Sequence, residues 1–136
     1  MTQLTFDQEH RYKDSDEGIT IEVKLFYEEQ SFVVWAKVDP GSAVCLFINE
    51  IGQALGIPIE QGSPIRLGSL SGSLEAFGHE VTLQTGDIAF QSLVYFAKYP
   101  GLQRNLLGRQ GWLRNLRLGV IDYDNLLYLS AYDADL

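Results

Sequence analysis

The sequence predicts a mostly-β domain, and three observations carry that expectation. Runs rich in β-branched and aromatic residues recur along the chain, one of them alternating apolar and polar positions at the two-residue period of a strand. Clusters of Gly, Pro, Asn and Asp with turn chemistry separate these runs. Helical spacing is confined to two short stretches. The pattern predicts about seven or eight strands and two short helices, with no repeat of solenoid period.

In chain order, residues 1–18 are polar apart from an apolar patch at residues 4–6, and read as an N-terminal arm or an edge strand. Residues 19–136 read as a single domain. Over residues 19–26, Ile19, Ile21, Val23 and Leu25 alternate with Thr20, Glu22 and Lys24, the signature of a half-buried strand. Glu28-Glu29-Gln30 turns the chain into a second apolar strand, residues 32–38, which ends in Asp39-Pro40-Gly41-Ser42. Phe47, Ile48, Ile51 and Leu55 then repeat at helical spacing, and Gly56 and Pro58 stop that helix, with Gly52 a weak point inside it. Residues 61–73 are rich in Gly and Ser and hold two strand-like pieces around Ser69, Leu70, Ser71, Gly72 and Ser73; such a hairpin serves either as a mobile lid or as an ordinary surface element. Strands over 74–83 and 88–97 follow, the second so continuously apolar that it belongs at the centre of a sheet. A second short helix is expected over 109–116, with Trp112, Leu113 and Leu116 on one side. Strands at 118–123 and 126–130 close the chain in a hairpin turning at Asp124-Asn125. Strand, loop and short helix are thus expected twice, around Asp39 and around Gly108.

The chain has 136 residues, 46% of them hydrophobic, and a net charge of −8. That supports one domain with a core, and argues against a general nucleic-acid binder and against attachment to an anionic membrane. Cys45 is the sole cysteine, so no internal disulfide forms; a reducing, cytoplasmic setting is the simplest expectation. Its apolar neighbours Val44, Leu46 and Phe47 predict a buried structural thiol. His10 and His79 lack partners at metal-ligand spacing, so neither a metal nor another cofactor is expected, and His79 reads as a strand residue with a structural hydrogen bond. No nucleophile elbow surrounds any Ser, and residues 68–72 lack the Lys-Ser/Thr ending of a phosphate loop. Arg104, Arg109, Arg114 and Arg117 form a local basic cluster that reads as a solvated or carboxylate-paired face, or as a partner site. Asp39 has two readings on its own residues. Asp-Pro-Gly can simply close a turn. A carboxylate at the mouth of a buried strand can equally be aimed for catalysis.

Asp39-Pro40-Gly41-Ser42 at the end of an apolar strand, a Gly-bearing hairpin near residue 70, and Leu106-Leu107-Gly108-Arg109 occur in an order and spacing that resemble the retropepsin-like aspartic proteases, in a cellular or bacterial form. The resemblance covers most of residues 20–130. It implies an acid-protease half-barrel with one or two short helices and a flap hairpin. It implies an aspartic endopeptidase acting as a homodimer on peptide or protein substrates, because one chain of this length supplies a single catalytic Asp. Asp39 of each protomer would share a proton with its twin and activate a water. Pro40, Gly41 and Ser42 would form the substrate-facing loop, Ser69, Leu70, Ser71, Gly72 and Ser73 the flap, and Leu107, Gly108 and Arg109 the structural support. Two positions depart from the family pattern. Pro40 stands where the family has Thr or Ser, whose hydroxyl and N–H join a lattice linking the two active-site loops; Pro has neither, which implies a weakened enzyme. Ala43 stands where viral relatives often place an acid within reach of the arginine that Arg109 matches. Two alternatives remain open: an inactive peptide-binding or dimerisation module on the same fold, and an acidic β-barrel adaptor using the arginine cluster as its contact.

Overall fold

The strand that delivers Asp39, β3 (Gln30–Val38), buries Val34, Ala36 and Val38 on one face and leaves Val33 and Trp35 exposed on the other. It pairs along its whole length with β2 (Thr20–Tyr27), which buries Ile21, Val23 and Leu25 and turns at Glu28 in a left-handed conformation (φ 52°). A computed structural model describes residues 1–70 and 72–134, the side chain of Ser69 aside; the expected flap residue Ser71 lies outside the described residues. β4 (Leu46–Phe47) leads into the helix α1 (Asn49–Ala54). β5 (Ser63–Ser69) and β6 (Gly72–Thr85) form the Gly/Ser hairpin, and β7 (Ile88–Ala97) follows. β8 (Leu106–Leu107), β9 (Leu116–Ile121) and β10 (Leu126–Ala131) complete the chain, with β1 (Gln8–Arg11) at its start.

The larger sheet runs β2-β3-β8-β4-β7-β6-β5, and β2 also pairs with β6 through Lys24–Gln84, Leu25–Leu83 and Phe26–Thr82. That second pairing closes the strands from β2 to β6 into a barrel, leaving β5 attached to β6 alone. The apolar β7 sits inside the sheet between β4 and β6, as its composition predicts. Phe47, Phe96, Leu25, Leu83, Val94 and Trp112 fill the interior and are essentially inaccessible. The smaller sheet is β1-β10-β9, so the N-terminal segment adds a strand at Gln8–Arg11, beyond the apolar patch at residues 4–6. Phe6 of that patch instead packs on Tyr128, ring centroids 5.9 Å apart. Tyr12 is buried, and its hydroxyl donates to the Asp122 carboxylate; burial first, and then this hydrogen bond, push the phenol up to about 12.

α1 is short because Leu55 and the left-handed Gly56 (φ 75°) end it. Gly52 inside it costs about 1 kcal/mol in helix propensity. It also lets the helix close on the sheet: a Cβ there would lie 2.7 Å from Ile59 Cδ1 and 3.1 Å from Phe96 Cδ1.

One expected element is corrected. No helix spans 109–116; Val44 and Gln110 form an isolated parallel bridge, and only Leu113–Asn115 winds into a short 3₁₀ turn. The helix fails because Gly111 takes φ 100°, a conformation no right-handed helix contains; the amides of Arg109 and Gln110 meanwhile hold the segment to the carbonyls of Ser42 and Ala43. The expected doubling of strand, loop and helix is therefore real in its strands and loops but not in its second helix. The four arginines consequently share no helical face.

Trp112 anchors this corrected segment. It is fully buried, and its Nε1–H donates to Thr85 Oγ1 at 3.0 Å. Trp112→Phe removes ring volume and leaves the Thr85 hydroxyl without its donor. A loss of about 2–4 kcal/mol is expected, read from urea unfolding followed by circular dichroism, since exposed Trp35 still fluoresces in the variant.

Candidate active site

Two loops meet at Asp39. β3 and β8 run parallel, with Lys37 opposite Leu106 and Val38 opposite Leu107, so the chain leaving β3 and the chain leaving β8 emerge side by side. The Asp39 amide donates to Leu107 O at 2.9 Å, continuing the ladder by one rung. The turn then folds on itself: Gly41 N–H donates to Asp39 Oδ1 at 3.1 Å, and Ser42 N–H to Asp39 O at 3.0 Å. Pro40 at the corner has no N–H to place, and the turn asks for none. Asp39 is half-exposed, so its carboxylate is held by its own turn at one oxygen while facing solvent.

Gly108 makes the meeting of the loops possible. A Cβ there would lie 2.1 Å from Val44 O and 2.7 Å from Ser42 O, far inside contact distance. With no side chain in the way, the second loop lies flat on the first. Arg109 N–H then donates to Ser42 O at 2.9 Å and Gln110 N–H to Ala43 O at 3.0 Å. Asp39, Gly41, Ser42, Leu107 and Gly108 are thus brought together. The Ser42 hydroxyl donates to Val44 O at 2.7 Å, which turns it into its own loop. Arg109 contributes its backbone; its side chain is exposed and makes no ion pair among the described residues. In the β5–β6 hairpin, Ser69 pairs with Gly72 and Gly68 with Ser73, Leu70 is fully exposed at the tip, and Ser73 Oγ accepts from Arg66.

Asn105 escaped the sequence reading. Its Nδ2 donates to Trp35 O and its Oδ1 accepts from Ile48 N–H, each at 3.0 Å, while its backbone carbonyl accepts from Lys37 N–H at 2.8 Å. It thereby bolts β3 and β4 together just below Asp39. The only available signal was a polar residue preceding the apolar pair Leu106-Leu107. His79 is structural, as expected: its Nε2–H donates to Ile59 O at 2.8 Å. Cys45 is fully buried beside the loops, with Sγ 3.6 Å from Gln110 O. Burial pushes this thiol up to about 11, the Gly108 backbone working weakly the other way. The stability the thiol contributes is therefore complete below its ordinary value and is lost as pH rises through 11.

No family model matches the chain, and no curated protein does. Solved structures do match. A retropepsin-like aspartic protease from Rickettsia conorii is similar over 91% of this chain and 99% of its own, with a TM-score of 0.64 at 16% identity. EIAV protease, solved in complex with an inhibitor, is similar over 71% of this chain and 86% of its own, with a TM-score of 0.54 at 17% identity. The chain has the retropepsin-like aspartic protease fold.

Two outcomes follow for the paired loops. Gly108→Ala must push apart backbone, which cannot swing aside as a side chain can, so a loss above about 3 kcal/mol is expected in chemical denaturation. Native Cys45 should react with iodoacetamide at pH 8 about 100-fold more slowly than a free cysteine, from its thiolate fraction alone; mass spectrometry of the intact and the urea-unfolded protein reads the difference.

Proposed function

We propose that this protein is an aspartic endopeptidase that works as a homodimer, with Asp39 of each protomer forming the catalytic pair. One observation carries the reading. Asp39 stands half-exposed at the mouth of a rigid strand, its turn seated on Gly108 of a second loop, in a fold shared with aspartic proteases. Among the described residues the chain supplies one such carboxylate, so a second copy would supply the other. Two carboxylates facing each other across a two-fold axis resist double ionisation and hold one proton between them. The ionised member takes a proton from water as that water attacks the peptide carbonyl. The protonated member donates to the developing oxyanion and then to the leaving nitrogen. Gly41 and Ser42 would line the floor beside the peptide, and Ser69, Leu70, Ser71, Gly72 and Ser73 would be the flap over it. Leu107, Gly108 and Arg109 act through the Asp39 loop by supporting its backbone. The single buried thiol supports a cytoplasmic setting.

Pro40 favours a second reading, a binding or dimerisation module on the same fold whose chemistry is reduced or lost. It brings neither hydroxyl nor N–H to a contact between subunits.

A peptide library assayed between mildly acidic and neutral pH separates the two. Asp39→Asn should reduce cleavage about 10³-fold or more, and light scattering should find a dimer. Identical cleavage by wild type and Asp39→Asn would refute the catalytic assignment. No cleavage by wild type, with cleavage gained in Pro40→Thr, would support the second reading.

A further inference from the structure

The β5–β6 hairpin changes character at one level. From Ala76 onward β6 is flanked by β7, beginning with the pair Ala76–Ala97. Before it, the rungs Arg66–Glu75, Leu67–Leu74, Gly68–Ser73 and Ser69–Gly72 form a two-stranded ribbon with no third strand beside it among the described residues. Lys98 sits at this boundary. Its amide donates to Glu75 O at 2.9 Å, and its ammonium donates to Glu75 Oε2 at 3.2 Å. The same ammonium lies 3.8 Å from Glu60 Oε1, in the 3₁₀ turn that leads into β5. One cation therefore touches the roots of both arms.

The backbone carrying that cation is fixed. Asn49, only 4% exposed at the start of α1, donates through Nδ2 to Ala97 O at 3.0 Å and to Lys98 O at 2.9 Å. On the far side, the ammonium stands 5.2 Å from the centroid of the Tyr99 ring. Tyr99 and Leu102 face Arg66, Ser73 and Glu75 of the hairpin across a cleft of about 620 Å³. Glu75 is shared, since its other oxygen accepts from Arg66 of the opposite arm at 3.1 Å. Contact with Glu75, ahead of Tyr99, holds the Lys98 ammonium above its ordinary lysine value.

We propose that Lys98 is a positioning residue: mounted on rigid backbone, its ammonium pins the roots of both hairpin arms to the Tyr99 loop and so sets the width of the cleft between them. Its role in turnover rests on the peptidase reading; its role in holding the hairpin does not. A chain of charges centred on one half-buried ammonium outperforms an isolated surface pair, and it weakens with salt.

The test compares wild type with Lys98→Met, Lys98→Arg and Glu75→Gln. Amide hydrogen exchange over residues 66–75 should quicken three- to tenfold in Lys98→Met and, to a lesser degree, in Glu75→Gln, with residues 88–97 unchanged, and should return towards wild type in Lys98→Arg. Sodium chloride at 1 M should quicken the same residues in wild type and have a smaller effect in Lys98→Met, where only the Arg66–Glu75 pair remains to be screened. With a peptide that wild type cleaves, Lys98→Met should raise KM three- to tenfold while kcat stays within twofold. Unchanged exchange in both Lys98→Met and Glu75→Gln would overturn the proposal, as would equal quickening throughout β7. Quickened exchange in a protein that cleaves no peptide would sustain the hairpin clamp and sink the peptidase reading instead.

Discussion

The fold turns on a place where a side chain is missing. Gly108 rests against the carbonyls of Ser42 and Val44 at distances that exclude even a methyl group. Around this contact, the parallel pairing of β3 with β8, the Asp39 amide on Leu107 O, and the amides of Arg109 and Gln110 on Ser42 and Ala43 form one continuous set of hydrogen bonds. The partners are far apart in sequence; Cys45 and Gln110, which touch there, are separated by 65 residues. Loop closure over that span is entropically unfavourable and must be offset by burial. The offset is visible on either side of the crossing: Phe47 and Phe96 pack at 6.0 Å behind the first loop, and Trp112 fills the interior behind the second. The loops stay in register because the core beneath them is full.

Burial and satisfaction of polar groups reinforce each other here. Where the loops cross, the ladder lacks the length to pair every amide, so side chains complete it. Asn105 spends both ends of its amide on neighbouring strands, and Asn49 does the same service between α1 and the end of β7. Among the described residues, no buried side-chain nitrogen or oxygen lacks a partner. A carboxylate carried by such a frame is aimed by groups that cannot easily relax, as a site of chemistry requires.

Much of this was legible in the sequence wherever the signal was local. The alternation at residues 19–26 and the apolar run of β7 gave strands of nearly the observed extent. Asp39 with its Pro-Gly turn, and Leu107-Gly108, marked the two loops that meet at the candidate site. The failure at residues 109–116 has a physical cause. Trp112, Leu113 and Leu116 sit at helical spacing because they pack on one core, but Gln110 lies extended in its bridge to Val44 and Gly111 turns the backbone at φ 100°. Periodicity records which side is buried; it does not record where the hydrogen bonds go. The roles of Asn105 and Lys98 were illegible for the same reason. Each depends on carbonyls or carboxylates that are distant in sequence and become neighbours only after the barrel closes.

Pro40 shows how far local reasoning reaches. Within one chain the proline costs the turn nothing, since its hydrogen bonds come from the amides of Gly41 and Ser42. The carboxylate keeps its local donor, and β3 keeps its last rung on Leu107. In the proposed dimer any deficit would arise between subunits, where residue 40 brings neither a hydroxyl nor an N–H. Ser42 offers no free hydroxyl proton in their place, because its O–H donates to Val44 O. Fold and catalytic precision are therefore separable in this chain. The first is secured by Gly108 and the core behind it; the second, under the proposed peptidase reading, would depend on how firmly two copies held their Asp39 loops together without help from residue 40.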